Sequence, residues 1–194
     1  VDVDLSFLQE STLELTIEQE LRGDTAVFLI DMQKEFVGDL KYEEVHELID
    51  KQLTVLDYCK EHNIPVFYFE VRDDDEEPGP TIQEIKDKLD ELDSVVYIEK
   101  DTDSAFLNRN YRKGALADAL RGKGIENIVL MGINASVCVR KTGEDALDES
   151  FCVLTSADLI ADPAWCDERK DYDDGNVYDC RTTQPKSLGV FFEP

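Results

Sequence analysis

The chain has 194 residues, 42% hydrophobic and 9% aromatic, enough apolar material for one packed domain and too little length for two of ordinary size. Its 45 Asp and Glu against 20 Lys and Arg leave a formal charge of −25, which repels phosphate backbones and anionic lipid and so argues against nucleic acid or a membrane surface as partner. No run reaches the roughly 18 apolar residues of a membrane helix, and Val1 to Glu20 has neither the basic start nor the apolar stretch of a secretory signal.

Five cysteines form an odd set without a CxxC pair, which fits a reducing compartment, so a cytoplasmic protein is expected. Two histidines, His46 and His62, leave little material for a histidine metal site or a Ser-His-Asp arrangement. The acidity suits a high-salt cytoplasm or simple solubility alike.

One domain over residues 1–194 is expected, with residues 1–20 as an N-terminal extension. The first strand is then Thr25 to Ile30, short, β-branched and continuously apolar, as a strand buried on both faces should be. Tyr42 to His62 follows with helical spacing. Its apolar positions Val45, Leu48, Ile49, Leu53, Val55, Leu56 and Cys59 form one stripe, and Asn63 and Pro65 end it. Ile64 to Val71 reads as the second strand. The acidic stretch Asp73 to Pro80, closed by Pro78-Gly79-Pro80, can continue neither strand nor helix and reads as a surface loop. A helix over Ile82 to Leu92, a strand over Val95 to Ile98, a helix over Lys113 to Gly122, a strand over Ile128 to Ile133, a helix over Val139 to Asp148 and a strand over Phe151 to Leu154 complete the series. Residues 163–194 form a divergent C-terminal segment with a final strand expected at Gly189 to Phe192. This alternation predicts right-handed βαβ units and a parallel sheet.

Three chemically capable groups then fall at the C-terminal ends of predicted strands: Asp31 after the first, Lys100 after the third, and Cys138 just beyond the fourth. In a parallel sheet they share one edge, where α/β folds bind ligands. Cys138 also precedes a predicted helix, whose N-terminal dipole, together with a nearby ammonium, is expected to favour the thiolate. Taken singly, each has a plainer reading: a strand-end cap, a surface lysine, a structural thiol. Cys59 and Cys152 read as small buried hydrophobes, and Cys166 and Cys180 as buried thiols. No GxGxxG or GxxxxGK[ST] accompanies Gly132, which argues against a nucleotide-binding loop.

Three motifs, in this order and at strand ends, are similar to those of the isochorismatase-like cysteine hydrolase superfamily, which includes nicotinamidases, N-carbamoylsarcosine amidase and ureidoacrylate hydrolases. They are Leu29-Ile-Asp31-Met-Gln33-Lys-Glu-Phe36, then Lys100 with Ser104-Ala105-Phe106, then Gly132-Ile-Asn134-Ala-Ser-Val-Cys138-Val with Thr142 and Asp145-Ala146. The resemblance covers residues 25 to 162. It implies a three-layer α/β/α sandwich with a mainly parallel sheet of about six strands, and a Cys138-Asp31-Lys100 triad that cleaves the C–N bond of a small amide, carbamoyl or ureido substrate through a thioester. It further implies an oxyanion hole from the backbone N–H groups of Asn134 and Cys138 beside a cis Ile133–Asn134 peptide, a pocket lined by Phe36 and Gln33, no cofactor, and assembly into dimers or tetramers.

The departures bear on substrate. Ala135 stands where many relatives have Thr. The metal-binding Asp-x-His of nicotinamidases has no histidine here, where the chain reads Glu70-Val-Arg72-Asp73, so no metal is expected. Trp165 lies beyond the matched region and is a candidate for substrate selection. Two other readings stand beside the amidase: vinyl ether hydrolysis of the isochorismate type, for which the retained cysteine is unneeded, and a silent binding scaffold of the same fold.

Overall fold

The computed structural model describes residues 25–72, 78–108 and 111–163, and the backbone of two short strands at 170–173 and 176–179. The N-terminal extension, residues 73–77 of the acidic loop, Trp165, Cys166, Cys180 and the strand expected at 189–192 lie outside the described residues.

The central strand β1 (Thr25–Ile30) is buried at all six positions, as its unbroken apolar run requires. Two parallel partners flank it, β2 (Val66–Val71) and β4 (Asn127–Ile133), and β3 (Val95–Lys100) pairs with β2, in the order β3-β2-β1-β4. β5 (Cys152–Leu154) and β6 (Ile160–Ala161) both pair with β4, β5 with its start and β6 with its end, making a six-stranded sheet in which every pairing is parallel. A 3-10 turn at Ala157–Leu159 joins these two short strands.

The helices are α1 (Lys34–Gly38), α2 (Tyr42–His62), α3 (Gln83–Leu89), α4 (Ala115–Gly122) and α5 (Arg140–Asp148). α2 has the expected bounds and buries Leu48, Ile49, Gln52, Val55, Leu56 and Cys59; Asn63 ends it in the left-handed region at φ 53°. Gln52, the polar member of that stripe, donates from Nε2 to the Leu159 carbonyl at 2.9 Å and ties α2 to the 3-10 turn. α2 packs on α3, with ion pairs Lys88–Asp57 and Lys60–Glu91 at their rim. Right-handed crossovers put these two helices on one face and α4 and α5 on the other, because the chain moves outward from β1 first one way and then the other. The switch lies between β1 and β4, which is where a doubly wound sheet opens a crevice.

Several expectations need correction. The helices over 82–92 and 113–122 are shorter, and Phe151 precedes β5 instead of beginning it. Cys152 is exposed, at the first position of the three-residue strand β5 at one end of the sheet. The short α1, β6 and an antiparallel pair, β7 (Lys170–Asp173) with β8 (Asn176–Asp179), had no legible periodicity. The helix expected from Val139 begins earlier, as a π-helical turn over Ala135–Val139 that runs into α5.

Candidate active site

The apolar run of β1 stops at Asp31, whose N–H continues the ladder to the Phe69 carbonyl at 3.1 Å while its own φ of 48° turns the chain out of the sheet. A residue other than glycine in this left-handed region costs about 1–3 kcal/mol, and such strain concentrates at working sites. The Asp31 side chain has no exposed surface. Its carboxylate oxygens face the Lys100 ammonium, 2.8 Å from Oδ2, and the Cys138 thiol.

Lys100 is the last residue of β3 and is equally buried. Its Nζ also donates to the carbonyls of Thr102 at 2.9 Å and Asp103 at 3.3 Å, because the following turn curls back over it. That turn is held to α5 by the Ala105 N–H, which donates to Thr142 Oγ1 at 3.1 Å. Ala105 and Thr142, far apart in sequence, are thus joined where the turn that receives the lysine meets α5.

Cys138 arrives from β4. Gly132, opposite Ile30 in the register, has φ 133°, and a Cβ there would sit 2.0 Å from the Ile30 carbonyl oxygen, so only glycine lets the two strands meet at this level. The Ile133–Asn134 peptide is cis. The π turn then presents Cys138, partly exposed, above the crevice. Ser136 anchors the turn: its N–H at 2.8 Å and its hydroxyl at 2.6 Å both donate to Asp162 Oδ1. The Asn134 carbonyl accepts from the Val137 and Val139 N–H groups, both at 3.1 Å.

Burial pushes the Asp31 carboxyl above the usual carboxylate range, against the pull of Lys100. Burial lowers the Lys100 ammonium, but the charges of Asp31 and Cys138 more than restore it, so Lys100 stays charged. Burial, and then the Asp31 charge, push the Cys138 thiol up, outweighing Lys100. A helix start and a nearby ammonium were expected to favour the thiolate, but desolvation beside a carboxylate outweighs them. The arrangement is a protonated thiol next to a basic carboxylate.

Phe36 lies on α1, half-buried against the core. Gln33 has no exposed surface, and its amide is committed: Nε2 donates to the Gly79 carbonyl at 2.7 Å and the Val71 carbonyl at 3.2 Å, and Oε1 accepts from the Val71 N–H at 2.8 Å. It fastens the loop after β1 to the end of β2. Asn134 Oδ1, among the described residues, is buried without a partner. A cavity of about 210 Å³ opens nearby between the start of α2 and β6, lined in part by Leu48, Ile160 and Asp162; none of Asp31, Lys100 and Cys138 lines it. Among the described residues no His, Cys, Asp and Glu cluster could hold a metal ion, and no helix is long and apolar enough to cross a membrane. Sequence reasoning missed Asp162 and Glu70; a buried-strand acid flanked by apolar residues is the signal that could have found Glu70.

The Isochorismatase domain family model matches residues 25–172. An isochorismatase from Pseudomonas putida is 19% identical, with 93% of this chain and 91% of that chain covered and a TM-score of 0.65. N-carbamoylsarcosine amidase from Thermoplasma acidophilum is 26% identical over 75% of this chain and 90% of that one, TM-score 0.58. A ribonuclease from Caenorhabditis elegans is 24% identical, TM-score 0.60, over 72% of this chain; the match spans 65% of that longer chain. No curated protein matches.

Proposed function

The chain belongs to the isochorismatase family of hydrolases, and on that premise we propose that it cleaves the C–N bond of a small amide, carbamoyl or ureido substrate through a thioester on Cys138. The observation that carries this reading is the buried Asp31 carboxylate, with the Lys100 ammonium at 2.8 Å on one oxygen and the Cys138 thiol beside it.

Asp31 takes the thiol proton as the sulfur attacks the substrate carbonyl carbon. The carbonyl oxygen gains the electron pair and is held by the N–H groups of Asn134 and Cys138. When the intermediate collapses, the C–N bond breaks and Asp31 returns the proton to the leaving nitrogen. Water, losing a proton to Asp31, then attacks the thioester, and the proton returns to the sulfur. A raised carboxyl pKa suits this shuttling, since a base works best when its pKa approaches the working pH. Lys100 keeps a positive charge beside whichever of the two partners is ionised. Phe36 supplies an apolar wall.

A cysteine in contact with the base favours this reading over vinyl ether hydrolysis, in which protonation by an acid suffices and a nucleophilic sulfur has no part. The charge of −25 speaks against a polyanion such as RNA as substrate, whatever the ribonuclease neighbour does. The relatives include an octameric hydrolase from Escherichia coli, and assembly is proposed here too.

Ammonia release across a panel of small amides, carbamates and ureas tests the reading. Cys138→Ala should abolish release from any substrate found while leaving the circular dichroism spectrum unchanged. Turnover persisting in Cys138→Ala overturns the mechanism.

A further inference from the structure

Glu70 is an acid one residue from the C-terminal end of the buried strand β2, 5% exposed, and the chemistry of the triad does not use it. All of its capacity is taken. Oε1 accepts from the Thr81 N–H and the Thr81 hydroxyl, both at 2.8 Å, and Oε2 accepts from Arg72 Nη2 and the Tyr97 hydroxyl, both at 3.1 Å.

Thr81 belongs to the loop that returns from the acidic stretch and lies antiparallel to the residues following Asp31. Gln33 and Thr81 face each other in that bridge. The Ile82 N–H donates to the Met32 carbonyl at 2.9 Å and the Lys34 N–H to the Pro80 carbonyl at 3.0 Å, so residues 33 and 81 are a pair without hydrogen bonds between them. In such a pair the backbone N–H points away from the neighbour. The Thr81 N–H therefore faces β2, and Glu70 is the group that meets it.

Asp31, at φ 48°, is held on its own side by one bond to Phe69 and a 2.6 Å contact from the Gln33 N–H to its carbonyl. Beyond Gln33 the chain is secured by the loop at 78–82, and that loop is fixed to the sheet at two points, at Gly79 through the Gln33 amide that also bonds Val71 and at Thr81 through Glu70. We propose that Glu70, acting through Thr81, is a positioning residue that holds Asp31 in reach of the Cys138 thiol. This rests on the cysteine hydrolase reading above and adds a distant determinant of its geometry.

The test uses the whole chain and acrylamide as probe. The Cys138 sulfur bonds to the terminal alkene carbon, the alkene π pair shifts to the carbon next to the carbonyl, and the thiol proton passes by way of Asp31 to that carbon. Adduct formation is followed by intact mass against pH, with thermal melting as the fold control. Glu70→Ala should slow the neutral-pH reaction about tenfold to hundredfold, the usual result of misplacing a reacting group by about an ångström, and its pH profile should move toward that of Asp31→Asn. Glu70→Gln, whose amide oxygen still accepts from Thr81, should restore the wild-type profile. Wild-type rate and profile in Glu70→Ala, or a Glu70→Gln variant as slow as Glu70→Ala, overturns the proposal. If Glu70→Ala does not fold, Thr81→Val replaces it: a slower, shifted profile that Thr81→Ser reverses supports the proposal, and a wild-type profile in Thr81→Val overturns it. A wild-type protein no faster than its Asp31→Asn variant overturns the hydrolase reading itself, and this inference with it.

Discussion

Lys100 Nζ and Asp31 Oδ2 lie 2.8 Å apart with neither side chain exposed, two strands removed from one another in the sheet. A pair so placed is held by its own mutual attraction, because removing either charge strands the other away from water.

Replacing Lys100 by Met leaves the Asp31 carboxylate buried and uncompensated, and should cost about 3–5 kcal/mol of unfolding free energy. The double variant Asp31→Asn/Lys100→Met should recover most of that loss while remaining without activity. Urea unfolding of the four proteins in the cycle measures the coupling, and additive losses would mean the pair is not the compensated unit described here.

Hydrolysis should fall away on the acid side through a pKa above the ordinary carboxylate value of about 3.9, because burial raises that of Asp31 and the base must be ionised to act. On the same grounds, Asp31→Asn leaves Cys138 to ionise unaided. Burial, the largest influence on that thiol, remains when the Asp31 charge is gone, so acrylamide should add to this variant at pH 7 more slowly than to the wild type and faster only as pH rises. Initial rates and adduct mass across pH check both limbs.

Gly132→Ala introduces a Cβ that meets the Ile30 backbone at 2.0 Å, in a conformation of φ 133°. Neither strand can yield without breaking the β1–β4 ladder beneath Asp31. A cost of roughly 3 kcal/mol or more is expected, seen as loss of the urea transition or failure to accumulate folded protein. Gly38→Ala, where nothing lies within 4 Å, is the control and should be near neutral.

A net charge of −25 on a chain this size repels itself, and salt screens that repulsion. The melting temperature should climb as sodium chloride rises from about 0.01 to 1 M, where the screening length falls from about 30 to 3 Å. A flat or falling melting curve would show that the acids are balanced locally by bases such as Lys60 and Lys88, which already sit in ion pairs with Glu91.

The strand and helix order was open to reading because burial on both faces leaves an unbroken apolar run, as in β1, and burial on one face leaves a stripe, as in α2. The short elements were not. α1 has five residues and β6 two, fewer than a period needs to declare itself, and each exists because neighbouring chain fixes it. The direction in which the thiol is pushed was hidden for a related reason: proximity to a helix start and a lysine can be inferred from order along the chain, but the amount of water removed around them cannot.

By itself, the order of residues determined which groups stand at the ends of which strands, and hence that Asp31, Lys100 and Cys138 share one edge of a parallel sheet, since alternating apolar runs and helical stripes leave few ways to wind a chain. Folding in three dimensions decided the rest. It turned the Gln33 amide onto backbone, seated Asp162 under the π turn, bound Glu70 to Thr81 and set the protonation of the thiol, because each depends on distances and desolvation between segments that the one-dimensional pattern does not encode.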